Sequence, residues 1–426
     1  MKHPMKRSLP TQPARRTLTY STLTLSAFIY SSLAPAHTTG SHAISEGLTL
    51  SAGLATTVRS GPDPLDTPWQ IPGKLMGGEA NLPESGFTLD DAHLEATFRH
   101  RSGVVAGAEL SSHHDSSVTF EQAWAGFQAP EGGMLRSASL MAGQMNAAFS
   151  PEINLHASRS AFSTPRLMDS SFYGGHFNDT GVKGQMVLSD WQLGAELWQG
   201  DTFPATPGQG GGSQDVFAYW RPSTSSAQWV IGGWLLHSRA DQRIDERLTS
   251  GHSHGTVSVT TADTVRYDGG EQHLGVHAGV TFDISATVSA QFVAEWIEAH
   301  AKGTLKDTTH LAELEGDYRG YWIQPSLIWS GNQSLVFRYE RLILKNRLSG
   351  AGATALVDPA GLGNPGEDPE SMGISYRFYP ILSQSDSAFW HQLGIRLEWT
   401  RVDAGIEDDY VGIGLLFRAQ DSFAVN

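Results

Sequence analysis

The chain has no cysteine in 426 residues. Disulfides and thiolate chemistry are therefore excluded, and any metal must be held by imidazole or oxygen donors. Beyond the first three dozen residues no apolar run approaches the roughly 20 residues of a membrane-spanning helix. The hydrophobic fraction is 39% and the mean hydropathy −0.26, unlike a helical membrane protein. Basic charge is scarce: 29 Lys and Arg stand against 44 Asp and Glu, a formal net charge of −15. Nucleic acid is thereby disfavoured as a partner. No phosphate-cradling glycine loop, nucleophile elbow or HExxH helix occurs, so the reading is not that of an enzyme, and no cofactor is called for. The glycine run at 208–212 reads as a flexible surface loop.

What the chain does have is alternation. Sixteen segments of apolar and polar residues in period two lie near 47–58, 87–99, 103–112, 117–128, 135–147, 180–189, 191–200, 214–221, 227–238, 271–282, 286–299, 319–329, 333–345, 371–379, 388–402 and 409–418. Leu274, Val276, Ala278, Val280 and Phe282 share one face of the tenth, with His273, Gly275, His277, Gly279 and Thr281 on the other. Leu393, Ile395, Leu397 and Trp399 oppose Gln392, Arg396, Glu398 and Thr400 in the fifteenth. The ninth is ambiguous, because both its faces are apolar. The gaps alternate short and long, the longest being 59–86, 148–179, 239–270, 300–318 and 346–370. Tight turns on one rim and long loops on the other are the rhythm of a transmembrane antiparallel β-barrel, in which only every second residue meets lipid. Trp191, Trp229, Trp296, Tyr321, Trp329, Trp390, Trp399 and Phe417 fall near segment ends, where interfacial girdles place aromatics.

Residues 1–36 read as a secretory leader: Lys2, Lys6, Arg7, Arg15 and Arg16, then a mildly apolar stretch over 20–33, then small residues at Ala34-Pro35-Ala36. The expected organisation is a leader over 1–36 and one barrel domain over 37–426, with no composition shift marking a second domain.

Two stretches carry a family likeness. Gly143-Gln144-Met145-Asn146-Ala147-Ala148-Phe149-Ser150-Pro151-Glu152 resembles a strand end of the phosphate-selective porin group. Asn178-Asp179-Thr180-Gly181-Val182 resembles the segment with which such porins re-enter the barrel after their third loop, and Phe120-Glu121-Gln122-Ala123-Trp124 is similar to their fourth strand. The likeness covers about 117–185. It implies an outer-membrane barrel, a third loop folded into the lumen, passive passage of small hydrophilic solutes or ions, and a homotrimer embedded in outer-membrane lipid. The chain departs from the family in two ways: residues 419–426 follow Phe417, where a terminal aromatic is usual, and the acidic composition does not support phosphate selectivity.

In the third long loop the candidates for a constriction are Glu152, His156, Arg159, Arg166, Asp169 and His176. Charges of both signs facing across a pore filter solutes by size and charge. Their expected partners on the lumen wall are His93, Glu95, Arg99, Glu109, Lys183, Glu196, Glu295, Arg338, Glu340, Arg396 and Glu398, which would be costly facing lipid. The acid surplus points to a modest preference for cations. Histidine clusters at His113-His114-Asp115, at His252-Ser253-His254 and at His273/His277 suit zinc or copper. His252 and His254 are the candidates for loose metal capture. His273 and His277 would lie about 13 Å apart along a strand, too far to share an ion. The alternatives are a channel for divalent metal or its complexes, and a non-conducting barrel acting as adhesin or enzyme.

Overall fold

A computed structural model describes residues 46–61, 68–113, 117–129, 132–206, 212–245, 247, 264–364, 366, 368–383 and 390–424. The leader expected at 1–36, the glycine run at 208–212 apart from Gly212, and His114, Asp115, His252 and His254 lie outside the described residues. Among those described, sixteen strands close into one antiparallel barrel. They are β1 (Gly47–Ser60), β2 (Gly86–Arg99), β3 (Val104–Ser112), β4 (Thr119–Ala129), β5 (Leu135–Asn146), β6 (Asn178–Leu188), β7 (Trp191–Trp198), β8 (Ser213–Trp220), β9 (Ala227–Arg243), β10 (Arg266–Ser285), β11 (Val288–Lys306), β12 (Leu311–Trp329), β13 (Gln333–Ser349), β14 (Glu370–Ser383), β15 (Trp390–Asp403) and β16 (Glu407–Ala424). Each pairs with its sequence neighbours, and β1 closes on β16 from Gly47↔Ala424 to Ser60↔Val411. Two short helices, α1 (Leu167–Tyr173) and α2 (Ala353–Leu356), sit in loops.

Alternation decides which side chain meets which medium. In β11, Ser289, Gln291, Val293, Glu295 and Ile297 are buried toward the lumen, while Ala290, Phe292, Ala294 and Trp296 face out. On the outside, Leu140, Val276, Phe292, Phe337, Ile395 and Ile413 are exposed large apolar residues. The apolar belt has sharp edges. Trp296, Tyr321, Tyr339 and Trp399 mark the loop-side edge, and two residues further along each strand the same outward face carries Glu298, Arg319, Arg341 and Arg401. Trp191, Trp220, Trp229 and Trp329 mark the turn-side edge. From Tyr321 to Trp329 the strand covers about 27 Å, or about 20 Å of height at the usual tilt. This exterior is matched to the hydrocarbon layer of a bilayer, and the molecule is a transmembrane β-barrel.

The structure corrects several sequence-based boundaries. The gap expected at 300–318 is almost all strand: β11 and β12 run on to Lys306 and back from Leu311, leaving only 307–310 as a loop. The reason is that the wall here stands above the belt. Its outward face is a ladder of ion pairs, Glu298–Arg319, His300–Asp317 and Lys302–Glu315, while small and apolar residues such as Ala299, Ala301 and Leu314 face in. The alternation is inverted, and an apolar-out rule misses it. β16 likewise continues past 418 to Ala424, with Phe423 exposed opposite Leu48, so Phe417 is not the last outward aromatic of the barrel. The ninth segment is ambiguous for a structural reason: Ile231 and Leu235 face out, but Val230, Trp234 and Leu236 pack on a loop inside the lumen.

Candidate functional site

The loop between β5 and β6, residues 147–177, does not leave the barrel. It turns into the lumen at mid-height and is buried for most of its length. Its composition requires this. Phe149, Ile153, Phe162, Leu167, Met168, Phe172, Tyr173 and Phe177 are too many apolar groups for a solvated loop, each worth about 1.5–3 kcal/mol on burial. Most find partners on the lumen face of β7–β13 among Trp198, Phe217, Tyr219, Trp234, Ile297, Trp322 and Leu342, while Phe162 packs on Val336 of β13. Phe149 is central, with ring centroids 4.8 Å from Trp234, 5.5 Å from Tyr173 and 5.6 Å from Phe177.

Polar anchors complete the attachment. Glu295 accepts from Ser150 Oγ (2.9 Å), Trp234 Nε1 (3.1 Å) and Trp322 Nε1 (3.3 Å). Glu196 accepts from the Ala148 amide at 3.0 and 3.1 Å. Glu398 accepts from the Ser163 amide (2.8 Å) and hydroxyl. Arg396 donates to the carbonyls of Ala157 and Ser160, Arg338 to that of Thr164 and Arg377 to that of Arg159. Helix α1 ends at Gly174 with φ 68°, where the first loop crosses it. Glu79 N donates to Gly174 O at 2.7 Å, and a Cβ on Gly78 would come within 2.6 Å of Gly174 Cα. Glycine is required at that crossing because the two backbones touch.

The expected constriction residues fall in four places. Arg166 is locked, with Nε on Asp169 (2.7 Å), an Nη on the Glu152 carbonyl and its guanidinium 4.7 Å from the Trp322 ring centroid. It serves as an anchor within the loop, together with Glu152 and Asp169. Burial, reinforced by Glu295 and Asp169 and opposed by Arg166, pushes the Glu152 carboxyl up to about 8. Arg159 lies half-buried on the turn side, near Arg377 and Arg418. His176 sits at the mouth, 3.9 Å from Glu79. His156 does something else: its Nδ1 meets Asp91 at 3.3 Å and its Nε2 meets Glu109 at 2.9 Å. Burial disfavours its charge, but the hydrogen bonds to these two carboxylates prevail and hold the imidazolium well above the ordinary range.

On the wall, His93, Glu109, Lys183, Glu196, Glu295, Arg338, Glu340, Arg396 and Glu398 are buried on the lumen side. Glu95 and Arg99 sit lower on the same face of β2, bonded to Ser51 and Gln128. Four site residues absent from the expected wall set lie at irregularities. β2 bulges opposite Ala55/Thr56, so Asp90 and Asp91 both turn inward. Asp90 pairs with Arg59 (2.6 Å) and Arg396 (3.2 Å). β4 bulges opposite Glu109/Leu110, so Glu121 and Gln122 both reach the lumen. Glu121 meets His113 Nε2 at 3.0 Å, and burial notwithstanding, that hydrogen bond raises the His113 imidazolium range. The signal was present as two adjacent polar residues inside an alternating segment. Lys74, from the first loop, reaches Glu271 at 3.3 Å and was not identified either. His273 and His277 do not converge: the first packs on Phe172 and Tyr173, the second on Tyr219.

Beside the loop a crevice of about 210 Å³ remains. Its lining runs from Glu79, Asn81 and His176 at the mouth to Gln291, Gln324 and Arg377 on the turn side.

No protein-family model and no curated protein matches the sequence. Among solved structures, the chain resembles in fold OprB of Pseudomonas putida, with 11% identity, a TM-score of 0.49, and coverage of 89% of this chain and 94% of that one. It also resembles the outer membrane channel DcaP of Acinetobacter baumannii, with 12% identity, a TM-score of 0.46, and coverage of 88% and 98%. The anion-selective porin from Comamonas acidovorans gives 10% identity, a TM-score of 0.45, and coverage of 88% and 99%. At these identities the likeness is one of fold alone.

Proposed function

We propose that the chain is an outer-membrane pore, delivered by a leader at 1–36, through which small hydrophilic solutes or ions diffuse passively past the third loop. The observation that carries this reading is the crevice beside the loop, lined by side chains of both charge signs and by groups on both sides of it. The lumen wall has two characters. The β7–β13 half is apolar where it grips the loop, and β1–β4 with β14–β16 offers charged and polar groups. Passage follows the second half. Selectivity comes from the narrow cross-section and from mixed charge: Glu79 and Glu121 among the acids, Arg159, Arg338 and Arg377 among the bases. Part of the acid surplus, including Glu298, Glu315 and Asp317, lies outside on the ion-pair ladder and does not face the pore. The cation preference is accordingly modest.

A homotrimer belongs to this reading. β7 and β8 have only 8 residues while β9–β13 have 17–20, so one side of the wall is low. On the low side Phe127, Leu140, Met186 and Leu193 line an apolar hollow in the outer face. Light scattering of the detergent-solubilised protein reads this directly.

The deciding experiment is planar-bilayer conductance of the refolded chain under a salt gradient. Small, steady unitary currents with a reversal potential shifted slightly toward the cation value are expected. A folded, heat-modifiable barrel that carries no current would favour an adhesin or enzyme barrel. A second reading, passage of divalent metal or its complexes, draws on the imidazole and carboxylate groups gathered around His156. Zinc carrying current at a potential where sodium does not would favour it.

A further inference from the structure

The pocket around His156 has more order than an anchoring ion pair requires. Asp91 receives His93 Nδ1 at 3.0 Å and His156 Nδ1 at 3.3 Å. The two rings lie with centroids 4.0 Å apart and planes 30° apart. With both Nδ1 atoms committed to one carboxylate, both Nε2 atoms face the far edge, and a cation bound there takes the place of the His156 Nε2 proton. Carboxylate–imidazole pairs of this kind fix the tautomer and ring orientation of metal-ligating histidines. Glu109 stands on that edge, with Oε1 2.9 Å from His156 Nε2. His93, Glu109 and His156 each offer a donor atom, all within 4.8 Å of one another, and all three residues are buried. Ligands around one tetrahedral ion at about 2.0–2.2 Å stand about 3.4 Å apart, so side-chain adjustment alone suffices. Gly53 makes room for the arrangement: a Cβ there would lie 2.2 Å from His93 Cε1.

We propose that His93, Glu109 and His156 form a site for one first-row divalent cation of the zinc type, with Asp91 orienting both imidazoles, and that the bound ion ties the third loop to β2 and β3. Charge supports it. Asp91 and Glu109 bring two buried negative charges beside the three donors, which a divalent cation held there balances. The donor set, two nitrogens and a carboxylate without sulfur, suits zinc, cobalt or copper better than the all-oxygen preference of calcium or magnesium. A neighbouring set, Asp91, His113 and His156, shares His156 but is partly exposed and takes Asp91 away from its orienting role. The inference does not require the barrel to conduct, so failure of the pore reading leaves it standing.

The test uses the refolded full chain in detergent, with folding of every variant verified by its heat-modifiable gel shift. Zinc affinity is measured by chelator competition and geometry by the visible absorption of added cobalt. One tight site with a four-coordinate cobalt spectrum is expected, together with slower tryptic cleavage after Arg159 when zinc is present. Glu109→Gln, which keeps size and shape, and His156→Ala should each weaken zinc by about tenfold or more, and Asp91→Asn by about 10–100-fold. His113→Ala and the double change His252→Ala/His254→Ala should leave affinity unchanged. Absence of a tight site in the wild-type chain would overturn the proposal. So would a site that survives both Glu109→Gln and His156→Ala, or one abolished by His113→Ala or by the double change.

Discussion

Removing the charge at Glu295 should loosen the third loop without unfolding the barrel. This carboxylate is buried and accepts three hydrogen bonds, from Ser150 Oγ and Trp234 Nε1 on one oxygen and from Trp322 Nε1 on the other. Glu295→Gln preserves the volume. Its carbonyl can still serve Ser150 and Trp234, but the Trp322 N–H then faces an amide N–H₂. A hydrogen bond to a charged group contributes about 1.5–3 kcal/mol, and neutral ones about half that. Losing one such bond and weakening two puts the cost at about 3 kcal/mol. Only the weakened Ser150 bond joins this carboxylate to the loop, the two indole bonds coming from β9 and β12, so about 1 kcal/mol of the cost falls on the loop. At about 1.4 kcal/mol per factor of ten, the population of a detached loop rises roughly fivefold. Single-channel recording should show frequent excursions to a larger conductance, and trypsin should cleave faster after Arg159. Glu298→Gln is the control: it lies three residues along on the outer face and pairs only with Arg319 among the described residues. Ser150→Ala should give an effect of the same kind and of similar size, about 1 kcal/mol. If the Glu295 and Glu298 variants show the same open-level noise and the same cleavage rate, the loop is not held by this carboxylate.

Three further outcomes follow from the geometry. Asp90→Asn leaves Arg59 and Arg396 buried with their shared counter-charge gone, which should cost about 3–5 kcal/mol and appear as a lower melting temperature and refolding yield; unchanged values would mean water reaches this pair. Glu152, its carboxyl raised to about 8, stabilises the fold fully below its ordinary value of 4.5, and that contribution fades as pH rises through about 8; Glu152→Gln should therefore lose less melting temperature than wild type between pH 5 and 9, and parallel curves would remove the argument. Phe292→Arg, midway along the belt between Trp296 and Val288, should destabilise the barrel in lipid by about 2–4 kcal/mol, whereas Lys302→Ala above the belt should stay within about 0.5 kcal/mol. Equal effects at the two positions would place the membrane elsewhere.

The sequence alone determined the strand count, the faces of strands such as β10 and β15, and the inward placement of charges such as Glu295 and Arg396. It could do so because a period of two and the cost of a charge in lipid act locally, residue by residue. Three things were decided only by the closed barrel. Where the wall rises above the bilayer, between 300 and 318, no lipid enforces the pattern, and the outward face there carries cross-strand polar pairs such as Lys302–Glu315. The lumen face of β9 is apolar because a loop some 80 residues earlier in the chain lies against Trp234, a contact that no local pattern contains. The cluster of Asp91, His93, Glu109, His113, Glu121 and His156 draws on three strands and a loop. Asp91 keeps the inward phase of His93, a bulge in β4 aims Glu121 inward against the alternation, and only the folded chain brings these strands and the loop to one place.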